Sequence, residues 1–176
     1  MIERKISSKK VYSCSFLDIY EDKVRLENNF ETKRVYAKHQ GGAAILATTK
    51  DEHLILVKQY RYPLKKEIIE IPAGKMDVLH ESFLDCAKRE LEEETSYQSN
   101  HIHFLTEIYP CVGYSNEVIK LFRAHQSFLV DQPKESDIDE FTKTILVDKK
   151  EAKHLLSQNV IKDAKTIIAI LYWLNE

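Results

Sequence analysis

Polar and apolar residues alternate along the first forty positions of the chain, which is the pattern of half-buried β-strands. From Val11 to Ala37 the chain is rich in Tyr, Val and Phe, with turn-like polar breaks between the apolar stretches. The pattern predicts three short strands in an N-terminal meander. The pair Gly41-Gly42 marks its end. We therefore divide the chain into residues 1–40, a small antiparallel sheet, and residues 41–176, the main domain.

The pattern after residue 41 mixes strands and helices. Two short apolar runs on either side of a polar turn predict a hairpin of buried strands. The predicted strands are 43–48, 54–59, 67–71, 102–109, 117–124 and 142–147, and the predicted helices are 81–95, 150–157 and 164–173. Strands and helices do not alternate regularly, so we expect an α/β fold of the α+β type, with a mixed sheet covered by helices, rather than a doubly wound parallel sheet.

Composition and charge narrow the class of protein. With 176 residues, of which 43% are hydrophobic, the chain has the size of one main domain with a small appendage. Its 26 Lys and Arg against 28 Asp and Glu provide no basic field that would collect nucleic acid. The longest apolar runs are much shorter than the roughly 20 residues of a membrane span. From the charge balance and the short apolar runs we expect neither nucleic-acid nor membrane partners. Three cysteines without Cys-x-x-Cys spacing and the lack of a signal-peptide core predict a cytoplasmic protein.

Candidate chemistry is concentrated in the predicted helix 81–95. On a helical wheel, Glu90 and Glu94 lie one turn apart at the edge of the apolar face, where negative charge is costly unless a cation balances it. Two carboxylates at this spacing suit a hard divalent cation such as Mg²⁺. Gly74, before the helix, allows a backbone geometry that turns the carbonyl of Ala73 toward the same cation. The spacing therefore predicts a metal-binding helix.

The other charged residues of this helix fall on different faces. Glu81, Lys88 and Glu92 share the opposite side of the wheel, where we expect ordinary surface charge. Arg89 and Glu93 lie between the two faces, four residues apart, which is the spacing of a supporting ion pair. The alternative is a charge run on an exposed helix, but the spacing and the preceding Pro-Ala-Gly loop argue against it.

The segment 74–96 resembles the Nudix box, Gly-x5-Glu-x7-Arg-Glu-apolar-x-Glu-Glu-x-Gly-apolar. The flanking segments 57–61, 70–74 and 109–117 are similar to those of the ADP-ribose pyrophosphatase branch. The resemblance implies a Nudix α/β/α sandwich preceded by a small antiparallel sheet. Two departures stand out: six residues, not five, separate Gly74 from Glu81, and Ser96 replaces the glycine that closes the box. Because helix ends favour a left-handed residue, Ser96 predicts local strain or a shifted cap.

The resemblance also implies an activity and its metal ligands. The activity is Mg²⁺-dependent hydrolysis of the pyrophosphate bond of a nucleoside diphosphate sugar, with Mn²⁺ as a second candidate metal. ADP-ribose, giving AMP and ribose 5-phosphate, is the leading substrate. The implied metal ligands are Glu90, Glu94 and the Ala73 carbonyl, and Glu93 either binds metal or supports catalysis. The alternatives are hydrolysis of another nucleoside diphosphate derivative and a catalytically silent Nudix-fold regulator that binds nucleotides.

Further roles fall outside the box. Metal-bound carboxylates are poor proton acceptors, so the general base should come from elsewhere, and Glu140 aligns best; a solvated acidic loop is the alternative. Arg61 is a candidate contact to phosphate or ribose, against an ordinary surface arginine. Glu70 is a candidate for binding substrate or a metal-bound water, against a structural salt bridge, and Glu117 is a substrate-binding candidate with similar alternatives. The apolar content of residues 1–40 predicts a homodimer.

Overall fold

A computed structural model describes residues 2–134 and 141–176. The N-terminal meander forms as the alternation predicts: β1 (Arg4–Ser13), β2 (Leu17–Arg25) and β3 (Glu31–His39) pair antiparallel in the order β1-β2-β3. The segment Tyr109–Val118 belongs to the same compact unit as Met1–Gly41. Within it, the backbone N–H of Ala37 donates to the carbonyl of Tyr114 at 2.7 Å. A segment distant in sequence thus returns to β3.

The second unit comprises Gly42–Ile108 and Ile119–Glu176. Its strands are β4 (Gly42–Thr49), β5 (Leu54–Arg61), β6 (Lys66–Glu70), β7 (Ala73–Lys75), β8 (Tyr97–Gln98), β9 (His101–Ile108), β10 (Ile119–Leu129) and β11 (Thr142–Val147). Its helices are α1 (Phe83–Thr95), α2 (Lys149–Ser157) and α3 (Ala164–Leu174). The sheet runs β11-β5-β4-β10-β8, with β6 beside β5, β7 beside β4 and β9 beside β10. Only β4 and β10 pair in parallel among the described strands, so the predicted mixed sheet is confirmed.

Side chains of β4 point alternately to the two faces of this sheet. Ile45 joins the apolar cluster under α1, which includes Leu91. Its neighbour Leu46 joins the opposite cluster, with Ile170 and Trp173 of α3. Both faces are therefore buried, which explains why this strand appears in the sequence as a continuous apolar run. The result is the expected layering of helix, sheet and helix.

Two short strands, β7 and β8, escape the sequence pattern. Gly74 lies within β7, although a glycine is typical of a break in a strand. The backbones of β4 and β7 approach closely here, since a Cβ on Gly42 of β4 would lie 2.8 Å from the Gly74 carbonyl oxygen. Helix α1 begins later than predicted because Ser82 caps it, accepting a hydrogen bond from the Asp85 N–H at 3.1 Å. None of the helices in the described ranges is long and apolar enough to cross a membrane.

Candidate active site

Helix α1 holds two carboxylates against the sheet. Cys86, Ala87 and Leu91 anchor the helix in the core and are fully buried. Glu90 and Glu94 lie beside them, and each is only 6% exposed. The prediction that these two side chains lie at the edge of the buried face is confirmed. Burying two carboxylates one turn apart is costly, so their position needs compensating interactions.

The loop around β7 supplies part of this compensation. The backbone N–H of Ala73 donates to Oε2 of Glu94 at 2.9 Å. A Cβ added at Gly74 would lie 1.8 Å from Oε1 of Glu90, so the missing side chain makes the space in which that carboxylate lies. A side chain at position 74 would force the Glu90 carboxylate to move. The carboxylates of α1 and the backbone of 73–74 form one contiguous site.

Arg89 provides the positive charge in this site. Its Nε lies 2.9 Å from Oε1 of Glu81, and its Nη1 lies 2.7 Å from Oε1 of Glu90 and 2.9 Å from Oε2 of Glu93. Burial disfavours the charged guanidinium, but these carboxylates outweigh that cost and raise the pKa of Arg89. The predicted Arg89–Glu93 ion pair is confirmed. The guanidinium of Arg89 thus orients the carboxylates of Glu81, Glu90 and Glu93.

Cys86 lies next to this arginine but contributes no nucleophile. Its Sγ is 3.6 Å from Nη2 of Arg89 and 3.4 Å from the carbonyl oxygen of Lys75. Burial, together with the charge of Glu90, raises the pKa of the thiol to about 12. The thiol therefore stays protonated near neutral pH, and the chemistry available here is that of carboxylates.

A second ionic cluster lies just before β7. Arg61 of β5 donates from Nε to Oε1 of Glu70 at 2.7 Å and from Nη2 to Oε2 at 3.0 Å. Lys165 of α3 also binds Oε2 of Glu70. Burial favours the protonated form of Glu70, which is 2% exposed, but the two cations hold its pKa below the usual value. Two predicted site residues, Arg61 and Glu70, are therefore brought into direct contact with each other.

The family model of the NUDIX domain, which describes the sequences of that family, matches residues 38–169 of this chain. A relative from Bacillus subtilis (strain 168), named ADP-ribose pyrophosphatase, is 36% identical over 170 residues, which cover 97% of this chain and 91% of the relative. The chain belongs to the Nudix family. The predicted family, fold class and enzyme class, a Nudix pyrophosphohydrolase, are confirmed. Nudix hydrolases generally require a divalent metal.

A second relative and a solved structure are also similar to this chain. A relative from Bacillus methanolicus, named methanol dehydrogenase activator, is 34% identical over 170 residues and covers 97% of this chain and 91% of the relative. A solved structure described as an ADP compounds hydrolase superposes with a TM-score of 0.83 at 20% identity, covering 99% of this chain and 95% of that chain. At that identity the structural match shows the fold.

The expectation that Glu81 and Glu92 of the Nudix box form ordinary surface charge is wrong. Glu92 is 7% exposed, and its Oε1 accepts a hydrogen bond from the backbone N–H of Lys134 at 3.2 Å. The side chain of Glu81 folds over Arg89 and is largely buried there. A wheel gives the direction of each side chain relative to the sheet, but not which other segments cover the outer side of the helix.

The two departures from the Nudix pattern have local solutions. Ser96 takes the place of the usual glycine in the left-handed conformation, with φ 63°, and its N–H donates to the Glu92 carbonyl at 2.7 Å. Of the two expectations for Ser96, the structure agrees with local strain, since the cap is not shifted to another residue. In the longer loop, His80 is also left-handed, with φ 65°, and a turn joins the Glu81 N–H to the Val78 carbonyl. Glu81 still reaches Arg89.

Two predicted site residues, Glu117 and Glu140, remain. Glu117 belongs to the N-terminal unit, where its Oε1 lies 3.6 Å from Nδ1 of His39. Glu140 lies outside the described residues, and its role stays a prediction. Both described flanks of that gap contact α1: Lys134 binds Glu92, and the hydroxyl of Thr142 donates to the Glu94 carbonyl at 3.0 Å.

The donors of the Nudix helix are of the type that a hard divalent cation takes. Carboxylates of Glu90, Glu93 and Glu94 and the nearby backbone of Ala73 offer oxygen ligands, and Gly74 leaves space beside Glu90. Within residues 2–134 and 141–176, no three His, Cys, Asp or Glu side chains are already gathered in metal-binding geometry. Arg89 instead binds two of these carboxylates. The residues fit the cation by chemistry and location.

Proposed function

We propose that this Nudix enzyme hydrolyses the pyrophosphate bond of ADP-ribose to AMP and ribose 5-phosphate, with Mg²⁺ as its metal. The observation that carries the proposal is the placement of the buried Glu90 and Glu94 carboxylates against the 73–74 backbone. The relative named ADP-ribose pyrophosphatase, which matches 97% of the chain, supports ADP-ribose as the substrate.

Glu90, Glu94 and the Ala73 carbonyl would hold the metal, with Glu93 as a further ligand or support. When bound, Mg²⁺ supplies neutralisation of the diphosphate charge and activation of the attacking water. Arg89 fixes the orientation of Glu90 and Glu93, so these carboxylates lose little freedom on binding a cation. The chain thereby positions oxygen ligands before substrate arrives.

Arg61 is the proposed phosphate contact. Its guanidinium plane is fixed by two hydrogen bonds to Glu70, and 40% of its side chain remains exposed. The charge of Glu94 is one of the causes that raise the pKa of Arg61, which indicates that the Nudix helix lies within electrostatic range. A planar, permanently charged donor suits the oxygens of a diphosphate. Glu140 as general base and Glu117 as a substrate contact complete the proposal.

The substrate is tested with a panel of compounds. Purified protein with Mg²⁺ is offered ADP-ribose, other nucleoside diphosphate sugars and dinucleoside polyphosphates, and the products are identified by mass spectrometry. We expect AMP and ribose 5-phosphate in equal amounts from ADP-ribose, at the highest kcat/KM of the panel. A higher kcat/KM for another member would reassign the substrate.

A second candidate function is regulation of another enzyme. The relative named methanol dehydrogenase activator, at 34% identity over nearly the whole chain, favours keeping this candidate. The presence of Glu90, Glu93 and Glu94 in the Nudix box favours hydrolysis. Absence of turnover on every member of the panel, together with nucleotide binding by calorimetry, would support the silent regulator instead.

We also propose a homodimer formed through the N-terminal sheet. Strand β1 is exposed along its whole length and presents Ile6, Val11 and Tyr12. Such an apolar edge is typical of a surface that another chain covers. Light scattering should give twice the chain mass for the wild type and the single chain mass for Val11→Lys, whereas Val160→Lys, at an exposed apolar position of the second unit, should stay dimeric. A monomeric wild type would contradict the proposal.

A further inference from the structure

We propose that Lys165, in the first turn of α3, is a positioning residue for substrate binding: it fixes Glu70, which in turn fixes Arg61. This inference rests on the proposed function in so far as Arg61 contacts the substrate. None of the three residues belongs to the Nudix box. The path runs from the N-terminus of α3 through one buried carboxylate to the guanidinium of β5.

Lys165 is an unusual residue for its position. It is 8% exposed, although lysines are almost never buried unless they are paired. Its Nζ contacts Oε2 of Glu70 and lies 3.0 Å from Oδ2 of Asp163. With Arg61, the cluster holds two cations and two carboxylates, so it is balanced without any bound ion. Glu70 is therefore committed to these partners and acts through Arg61 rather than as a metal ligand.

The first turn of α3 also binds the main chain next to Glu70. The hydroxyl of Thr166 accepts a hydrogen bond from the backbone N–H of Ile71 at 2.9 Å and donates to Oδ2 of Asp163 at 2.6 Å. Asp163 also caps α3 by accepting from the Thr166 N–H at 3.0 Å. Because Ile71 directly follows Glu70, the helix fixes both the carboxylate and the backbone that carries it.

The arrangement leaves one edge of Arg61 available. Nε and Nη2 donate to Glu70, and 40% of the Arg61 side chain remains exposed. A long side chain that must be immobilised on binding weakens affinity by up to about tenfold, and prior fixation removes that cost. Losing Lys165 would let Glu70 and Arg61 change orientation together, so the loss should appear mainly in KM.

The test compares Lys165→Met, which removes the charge at similar length, with Lys162→Met. Lys162 is an exposed lysine three residues earlier, and the substitution makes the same charge change. With Mg²⁺ and ADP-ribose, we expect KM about tenfold higher for Lys165→Met, kcat within about twofold and an unchanged Mg²⁺ titration, and wild-type values for Lys162→Met. A purely structural role would lower the melting temperature without moving KM, and this result would overturn the proposal.

A double-mutant cycle tests whether Lys165 acts through Arg61. Arg61→Lys removes the planar fork, so adding Lys165→Met should raise KM no further. Equal effects of Lys165→Met in the wild-type and Arg61→Lys backgrounds would contradict the proposed path.

A measurement on the wild type covers the case in which Lys165→Met does not fold or ADP-ribose is not the substrate. The Nε–H resonance of Arg61, identified in a ¹H–¹⁵N spectrum by its loss in Arg61→Lys, should be protected from solvent exchange. Exchange as fast as that of exposed arginines would overturn the inference. Failure of the substrate panel with a protected Nε–H would instead reject only the proposed substrate.

Discussion

Two groups of buried acidic side chains, one before β7 and one after it, differ in how their charge is balanced. Around Glu70, Arg61 and Lys165 match two carboxylates with two cations. On α1, Arg89 binds three carboxylates, and Glu94 lies beside them on a backbone N–H. The balanced group can fix geometry without a ligand. The α1 group gathers carboxylate oxygens, which are the ligands that Mg²⁺ prefers, around Arg89, so it has the chemistry to bind a metal ion.

The largest expected effect comes from the removal of one charge from the α1 group. Glu94→Gln keeps the volume of the side chain but removes a proposed metal ligand, so we expect kcat to fall by about 10³-fold, the upper end for losing one electrostatic contact in an active site. Kinetics across a Mg²⁺ titration and a melting curve measure the effect. Glu67→Gln, at an exposed position of β6, makes the same change outside both groups and should leave kcat unaltered. Full turnover by Glu94→Gln, or in a chelator, would refute the metal assignment.

The next prediction concerns proton transfer, for which neither group is suited. The carboxylates of α1 are proposed metal ligands, and Glu70 is held in its charged form by two cations. If Glu140 is the general base, Glu140→Gln should lower kcat by at least about 100-fold, the lower end for such a group, with unchanged metal affinity. Steady-state rates combined with Mn²⁺ binding measurements separate these quantities. A larger loss for Glu135→Gln or Glu117→Gln would move the role to that residue.

The balanced group should matter most for stability. Glu70→Gln leaves the buried Lys165 and the half-buried Arg61 without their shared carboxylate, which should cost about 3 kcal/mol of unfolding free energy at pH 7. Because the pKa of Glu70 is lowered in the folded state, its contribution is present above the usual value near 4.5 and is lost as the pH falls through the folded value.

Urea unfolding of wild type and Glu70→Gln across pH 3 to 7 tests this sign. The difference between the two proteins should be largest near neutral pH and shrink below about pH 4.5. Equal stability of the two proteins at pH 7 would show that the Glu70 ion pairs add nothing.

The strands and helices could largely be predicted because their signals are local. The sequence predicts helix α3 at 164–173, and the helix occurs at Ala164–Leu174, because its apolar spacing and the Asp163 cap lie within one segment. Strand β11 occurs at Thr142–Val147, as the pattern indicates. In contrast, the space around Gly74 of β7 is filled by Glu90, and the space around Gly42 by the Gly74 carbonyl, and both contacts join residues that are distant in sequence.

In the candidate site, too, the features with a local sequence signal could be predicted, and the contacts between distant segments could not. The spacing of Glu90 and Glu94 identifies the Nudix helix because both residues lie on one turn of one element. The contact of Lys165 with Glu70 joins residues 95 positions apart, and no local pattern points to it. The burial of Glu92 depends on Lys134, again from a distant segment. The sequence shows a lysine two residues after the Asp163 helix cap. It does not show that this lysine is buried, and the burial is what points to its role.

The smallest expected effect comes from a position that touches neither group. Ser96 ends α1 in a left-handed conformation, which costs a residue with a Cβ about 1 kcal/mol relative to glycine. Ser96→Gly should therefore raise the unfolding free energy by about 0.5–1 kcal/mol, since part of the gain is offset by the greater chain entropy of glycine. Urea unfolding measures the gain, and Ser99→Gly, in the following turn, serves as a control that should not stabilise. Because Ser96 donates only its backbone N–H to the Glu92 carbonyl, kcat and the Mg²⁺ dependence should remain at wild-type values; a loss of activity in Ser96→Gly would mean that this helix end contributes to the site.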